Sequence, residues 1–128
     1  MKILLDTHLL LWTVARSNML SAEARSLIDD PLNQPFFSVA SVWKTAIKFS
    51  RGRLEFNLPP HELREILLAS GYDELNILGT HATAVAGLPH IHKDPFDRLL
   101  IAQSMVEGIT LLTADRTIAR YQGPIRRV

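Results

Sequence analysis

Short apolar runs alternate with longer amphipathic segments along this chain, and the alternation predicts its fold class. Runs at residues 3–5, 36–39 and 109–113 have the length and composition of buried strands, and residues 74–78 form a weaker fourth run. Helical periodicity predicts helices over residues 9–15, 22–30, 41–51, 61–70, 80–87 and 96–107. Strands that alternate with helices are typical of βαβ crossovers, so we expect an α/β fold with a parallel sheet.

Three aspartates stand at the ends of these apolar segments. Asp6 follows the first strand, Asp115 lies two residues beyond the last strand, and Asp97 opens the last helix. In open α/β folds the carboxyl ends of the strands form the ligand-binding edge of the sheet. Carboxylates brought together there raise one another's pKa unless a cation neutralises them. The pattern therefore predicts a divalent-metal site and hydrolysis or transfer at a phosphate.

Each of these acids also has a structural explanation. Asp6 and Asp115 can cap, or favour the dipole of, the helical turns that follow them. Asp94 directly before Pro95 is a typical helix start whatever the function. Asp97 lies one turn further along the same helix face. We therefore assign Asp97 as the metal ligand and Asp94 as the cap that supports it.

Composition sets the limits within which these motifs are interpreted. With 128 residues, 47% of them hydrophobic and 21% charged, the chain has the size and balance of one globular domain spanning residues 1–128. It contains no cysteine, which excludes disulfide scaffolds, cysteine-ligated zinc and thiol catalysis and suits a reducing cytoplasm. No leader peptide or segment of transmembrane length is recognisable, so we expect neither export nor membrane insertion.

The charge distribution gives a weaker indication. A net charge of +1 does not by itself indicate nucleic-acid binding, but basic side chains cluster locally between residues 44 and 53. That stretch can line a phosphate backbone or form a solvated helix face, and both interpretations stay open. The candidates for phosphate contact are Lys48, Arg51, Arg53, Arg98 and Arg116.

Four sequence blocks together resemble a known family. ILLDTHLLLW, SVASVWKTAIK with RGRLEF, HKDPFDRLLIAQ and ITLLTADRTIARY occur in this order and cover essentially the whole chain. They resemble the PIN-domain ribonucleases, specifically the VapC toxins of toxin–antitoxin pairs. The resemblance implies an α/β/α sandwich with a parallel sheet of four or five strands, an antitoxin partner, a homodimer, and cleavage of RNA with magnesium or manganese.

The same resemblance assigns roles to individual residues. Asp6, Asp97 and Asp115 match three of the four acids that hold the metal in the family, and Thr7 and Thr113 fall beside them. Magnesium and manganese are hard cations that take oxygen ligands. Either ion can activate a water molecule, so no side-chain nucleophile is needed.

The fourth acid of the family is missing. The block around Trp43 usually reads SxWE, and this chain has Lys44 where the glutamate belongs. A glutamate there would complete a capping box with Ser41 and pair with Lys48, whereas a lysine opposes the helix dipole. The sequence thus favours an endoribonuclease and leaves open a weakened module of the same fold that binds RNA or the antitoxin.

Histidines and aromatic residues offer little beyond this. His90, His92 and Asp94 have the HxHxD spacing of metallo-β-lactamase-fold zinc hydrolases, but the next residue is Pro95 and further ligands have no counterpart. We expect His8 to be structural, while His61 and His81 belong to no cluster. Both tryptophans, Trp12 and Trp43, are expected in the core, so the RNA target is not recognisable.

Overall fold

Alternating residues of the first strand enter two separate cores. In the computed structural model, which describes residues 1–128, the first strand lies in the middle of a five-stranded sheet. Ile3 and Leu5 are fully buried on one side of the sheet, and Leu4 is fully buried on the other. A strand covered on both faces accounts for the continuous apolar run KILL.

Helical segments separate each strand from the next along the chain. The strands are β1 (Lys2–Leu5), β2 (Gln34–Ser38), β3 (Asp73–Leu75), β4 (Thr110–Thr113) and β5 (Ile125–Arg127). The α-helices are α1 (Thr7–Val14), α2 (Ala22–Asp29), α3 (Val39–Ser50), α4 (Pro60–Ala69), α5 (Gly79–Ala84) and α6 (Pro95–Glu107). Two short 3-10 helices cover Val85–Gly87 and Ile118–Arg120.

All neighbouring strands are parallel, in the order β3-β2-β1-β4-β5. Helices α1, α2 and α4 contribute to the core on one face, and α6 packs in the core on the other. The predicted α/β/α sandwich with a parallel sheet of four or five strands is therefore confirmed, with five strands. Because β1 and β4 are neighbours, the residues that follow them meet at one edge of the sheet.

Three details differ from the sequence prediction. The weak strand at residues 74–78 is shorter and earlier, at Asp73–Leu75. The prediction missed β5, because its two arginines are exposed and give no apolar pattern. Helix α3 begins at Val39, since the Ser38 hydroxyl accepts a hydrogen bond from the Ala40 amide at 3.0 Å and caps it.

The early start of α3 changes the setting of Lys44. The predicted helix start at Ser41 is wrong, so the proposed capping box between residues 41 and 44 does not exist. Lys44 instead lies in the second turn of α3, inside the helix. None of the helices has the length and apolar composition needed to span a membrane.

Candidate active site

Asp6 joins the end of β1 to the start of α1. Its Oδ1 accepts a hydrogen bond from the Leu9 amide at 2.9 Å, so the predicted capping role is real. Its Oδ2 accepts from the Thr113 hydroxyl at 2.6 Å. Burial raises the pKa of Asp6, and the hydrogen bonds from Thr113 and Leu9 oppose that rise. Capping and a place at the sheet edge are therefore compatible roles for the same side chain.

Thr113 also connects Asp6 to Asp115. The Asp115 amide donates a hydrogen bond to the Thr113 hydroxyl at 2.9 Å. Asp115 Oδ1 accepts from the amides of Thr117 and Ile118, at 2.6 and 3.1 Å, and so caps the short helical turn beyond β4. These hydrogen bonds fix the orientation of the Asp115 carboxylate through Oδ1, and Oδ2 takes part in none of them.

Asp94 and Asp97 take different places at the start of α6. Asp94 Oδ1 accepts hydrogen bonds from the Phe96 and Asp97 amides at 2.8 and 3.2 Å, which confirms it as the helix cap. Asp97 is buried, and burial raises its pKa. Asp94 and Asp6 raise that pKa further, while Lys44 and His92 lower it. A buried carboxylate whose ionisation is disfavoured in this way is stabilised by a nearby cation.

Lys44 supplies such a positive charge from α3. Its Nζ lies 2.8 Å from Asp94 Oδ2 and 3.8 Å from Asp97 Oδ1. Although burial raises the pKa of Asp94, the hydrogen bond from Lys44 and the helix amides bring it below its usual value. Position 44 therefore lies among the acids, and its ammonium group pairs with two of them.

His92 is a member of this cluster that sequence reasoning assigned to a different kind of site. Its Nε2 lies 3.0 Å from Asp97 Oδ2 and 3.7 Å from Asp115 Oδ2. His90, which the HxHxD interpretation requires, is exposed and outside this group, so that interpretation is wrong. His92 lies only two residues before Asp94 in the sequence, which was a signal of its place near the site. Asp115, the other acid near its ring, follows β4 and is more than twenty residues away along the chain.

The loop that carries His92 is fixed by hydrogen bonds of Tyr121 and Arg98. The Tyr121 hydroxyl accepts from the His92 amide at 2.8 Å and donates to the Pro89 carbonyl at 2.9 Å. The Arg98 guanidinium donates to the carbonyls of Pro89 and Val85 at 2.8 and 3.1 Å. Arg98 is buried, with 9% of its surface exposed, and this corrects its prediction as a phosphate contact.

Other predicted residues lie around the cluster. Thr7 is buried and donates to the Ser41 hydroxyl at 3.0 Å, so it holds α1 against α3 and bonds to no carboxylate. Trp43 is 55% exposed, which corrects its assignment to the core; its ring packs edge-on against Phe96 with centroids 4.9 Å apart. The remaining basic candidates are at least partly exposed: Lys48, Arg51, Arg53 and Arg116.

The cluster has the composition of a metal site. One atom each of His92, Asp97 and Asp115 lie within 4.8 Å of one another. Burial is the main cause that raises the pKa of Asp6 and of Asp97, and neighbouring acids raise both further. Carboxylate oxygens are the ligands that Mg²⁺ and Mn²⁺ prefer. These residues therefore fit a divalent cation, with Lys44 as a competitor built into the chain.

Comparisons with known proteins agree with this description. The family model of the PIN domain matches residues 3–124. Among solved structures, VapBC2 from Rickettsia felis, bound to a DNA fragment from its promoter, has a TM-score of 0.75 at 13% identity and covers 100% of this chain and 99% of its own. A toxin-antitoxin complex from Klebsiella pneumoniae has a TM-score of 0.66 at 16% identity and covers 97% and 95%. DNA-bound VapBC from Salmonella typhimurium has a TM-score of 0.66 at 16% identity and covers 99% and 98%. Comparison with curated protein sequences gives no match.

Proposed function

The chain belongs to the PIN-domain family, and we propose that it is a metal-dependent endoribonuclease acting as the toxin of a type II toxin–antitoxin pair. The observation that supports the proposal is that ligand atoms of Asp97, Asp115 and His92 lie within 4.8 Å of one another. Asp6, at the end of β1, is linked to Asp115 through Thr113. These acids come from three separate segments, and they also serve as helix or turn residues. In this proposal they hold Mg²⁺ or Mn²⁺, within one PIN domain spanning residues 1–128.

Each side chain has a defined part in this chemistry. Asp97 and Asp115 present carboxylate oxygens toward a common point, and Asp6 adds negative charge from the end of β1. Thr113 fixes Asp6 and the Asp115 backbone with two hydrogen bonds. When bound, a divalent cation would supply water of lowered pKa and neutralise charge on the phosphate. Basic side chains such as Arg51 would hold the RNA backbone.

The proposed partners follow from the fold neighbours and from the charge of the site. The solved structures with this fold include VapBC and toxin-antitoxin complexes. We extend this to a VapB-like antitoxin, RNA as substrate, a homodimer and a cytoplasmic location. The cluster of buried and half-buried acids is complementary in charge to a basic side chain of such a partner.

Cleavage of RNA by the purified chain tests the proposal. We expect metal-dependent cleavage that is stimulated by millimolar Mn²⁺ or Mg²⁺ and abolished in Asp97→Asn. Asp29→Asn makes the same chemical change on the exposed surface of α2 and serves as the matched control. Cleavage that persists in EDTA, or that survives in Asp97→Asn, would contradict the assignment of the site.

Lys44 supports a second candidate function. Its ammonium group pairs with Asp94 and approaches Asp97, which favours a catalytically weakened module that binds RNA or its antitoxin. Thermal unfolding separates the two candidates, because a ligand that binds the native state raises the melting temperature by mass action. Stabilisation by millimolar Mn²⁺ supports the nuclease, and its absence supports the binding module.

A further inference from the structure

The two carboxylate oxygens of Asp97 face different partners. Oδ1 lies 3.8 Å from Lys44 Nζ, and Oδ2 lies 3.0 Å from His92 Nε2. Lys44 also engages Asp94 Oδ2, at 2.8 Å. The lysine therefore closes the side of the cluster that includes Asp94. On the opposite side, Asp97 Oδ2 and Asp115 Oδ2 pair with His92 Nε2 and with no lysine or arginine within 4.0 Å.

The spacing of these three atoms is that of ligands around one ion. Ligands about 2.1 Å from a small divalent cation and about 90° apart lie about 3.0 Å from each other. His92 Nε2 is 3.0 Å from Asp97 Oδ2 and 3.7 Å from Asp115 Oδ2. Nε2 is nevertheless buried without an aligned hydrogen-bond partner. One ligand atom from each of His92, Asp97 and Asp115 lies within 4.8 Å of the other two, so a single ion could contact all three.

We infer that His92 completes a metal centre displaced toward Asp115, on the side that Lys44 leaves open. This inference rests on the proposed metal-dependent function and adds a ligand to that site. A set of one imidazole nitrogen and two carboxylates suits a transition-metal ion such as Mn²⁺ better than Mg²⁺, which favours oxygen ligands alone. His92 is thus a determinant of metal selectivity.

Coordination by His92 has a visible consequence for its neighbour. Nδ1 of the same ring accepts a hydrogen bond from the Asp94 amide at 3.2 Å. A metal ion at Nε2 requires the proton of the neutral ring to reside on Nδ1, so this hydrogen bond must be released when the ion enters. The Asp94 amide therefore reports on coordination independently of catalysis.

Pulsed electron paramagnetic resonance of Mn²⁺ bound to the full chain tests the inference directly. We expect a nitrogen hyperfine coupling that changes to the ¹⁵N pattern in wild-type protein labelled with ¹⁵N-histidine. His92→Gln should remove the coupling and weaken Mn²⁺ binding, measured by calorimetry, by roughly tenfold, with a smaller loss for Mg²⁺. His90→Gln and His8→Gln alter exposed histidines nearby and should leave the coupling in place. In the wild-type chain, Zn²⁺ as a diamagnetic probe should shift the NMR signal of the Asp94 amide.

The outcomes separate this inference from the proposed function. Bound Mn²⁺ without nitrogen coupling, or with coupling that persists in His92→Gln, would overturn the role of His92 and leave the nuclease proposal standing. Mn²⁺ binding by Lys44→Glu but not by the wild type would overturn the displaced centre alone. Failure of both chains to bind Mn²⁺, Mg²⁺ or Zn²⁺ would reject the metal-dependent function itself.

Discussion

Replacing Lys44 with glutamate reverses a charge at the centre of the acid cluster. The ammonium group now lies 2.8 Å from Asp94 Oδ2 and 3.8 Å from Asp97 Oδ1. A glutamate removes this tethered cation and returns the carboxylate that the PIN family usually has at this place. The loss of the cation and the gain of the carboxylate should both raise the affinity for a metal ion.

The geometry sets the scale of the effect. Two unit charges about 4 Å apart interact by about 4 kcal/mol at an effective dielectric constant near 20. Solvent reduces this, because the Asp94 side chain is 28% exposed, although those of Lys44 and Asp97 are 11% exposed. We therefore expect Lys44→Glu to raise Mn²⁺ affinity and RNA cleavage by at least roughly tenfold, or about 1.4 kcal/mol each. The variant should also be toxic on expression.

Calorimetry and a cleavage assay over a Mn²⁺ series measure the two effects separately. Lys44→Met removes the charge without adding a ligand and should give an intermediate affinity. Lys93→Glu makes the same charge change on an exposed side chain near the cluster, and it controls for general electrostatics. Without metal, Lys44→Glu should be less stable than the wild type, because the added carboxylate repels its neighbours and no capping box is regained. With metal it should be more stable.

If position 44 acted only through the overall electrostatic field of the protein, Lys93→Glu would reproduce the effect of Lys44→Glu, and a local role of residue 44 would be refuted. Equal cleavage by wild type and Lys44→Glu under saturating Mn²⁺ would likewise place residue 44 outside the catalytic centre.

Three further predictions concern the same cluster. Asp97→Asn should abolish metal binding. Asp94→Asn should mainly lower the free energy of unfolding, by about 0.5–1 kcal/mol, since an amide still caps the helix. Calorimetry that shows metal binding lost in Asp94→Asn but kept in Asp97→Asn would refute the ligand assignment. A saturating antitoxin-like partner that inserts a basic side chain among the acids should weaken Mn²⁺ binding, and an unchanged affinity would exclude occlusion. Folding lowers the pKa of Asp94 below 3.8, the usual value for an aspartate. The ionised Asp94 therefore stabilises the folded protein above pH 3.8, and this stabilisation is lost as the pH falls through the lowered pKa. Urea unfolding at a series of pH values should therefore show the advantage of the wild type over Lys44→Met shrinking in acid.

The sequence contained most of the fold and the outline of the site. The strands β1 and β4 could be predicted from their apolar runs. Both faces of these strands are buried, so their sequences are nearly continuous in hydrophobic residues. Asp94 before Pro95 could be recognised as a cap from local chemistry alone. The edge strand β5 could not, because an exposed strand of three residues has no hydrophobic pattern to distinguish it from a loop.

The errors at the site came from contacts between distant segments. Arg98 reads as a surface cation, and only the folded loop supplies the carbonyl groups that bury it. The contacts of His92 with Asp97 and Asp115 are visible only in the folded chain. Lys44 could be placed near the acids only through the family resemblance, because the predicted start of α3 was two residues late.

The hydrogen bond between Thr113 and Asp6 spans 107 residues of sequence. Parallel pairing of β1 with β4 brings together segments separated by all six α-helices, and the entropy of closing so long a loop opposes this contact. During synthesis, Asp6 therefore emerges long before the strand that completes its surroundings. A growing chain has no assembled acid cluster until β4 is available, which delays the onset of any nuclease activity and allows a partner to meet the toxin as it folds.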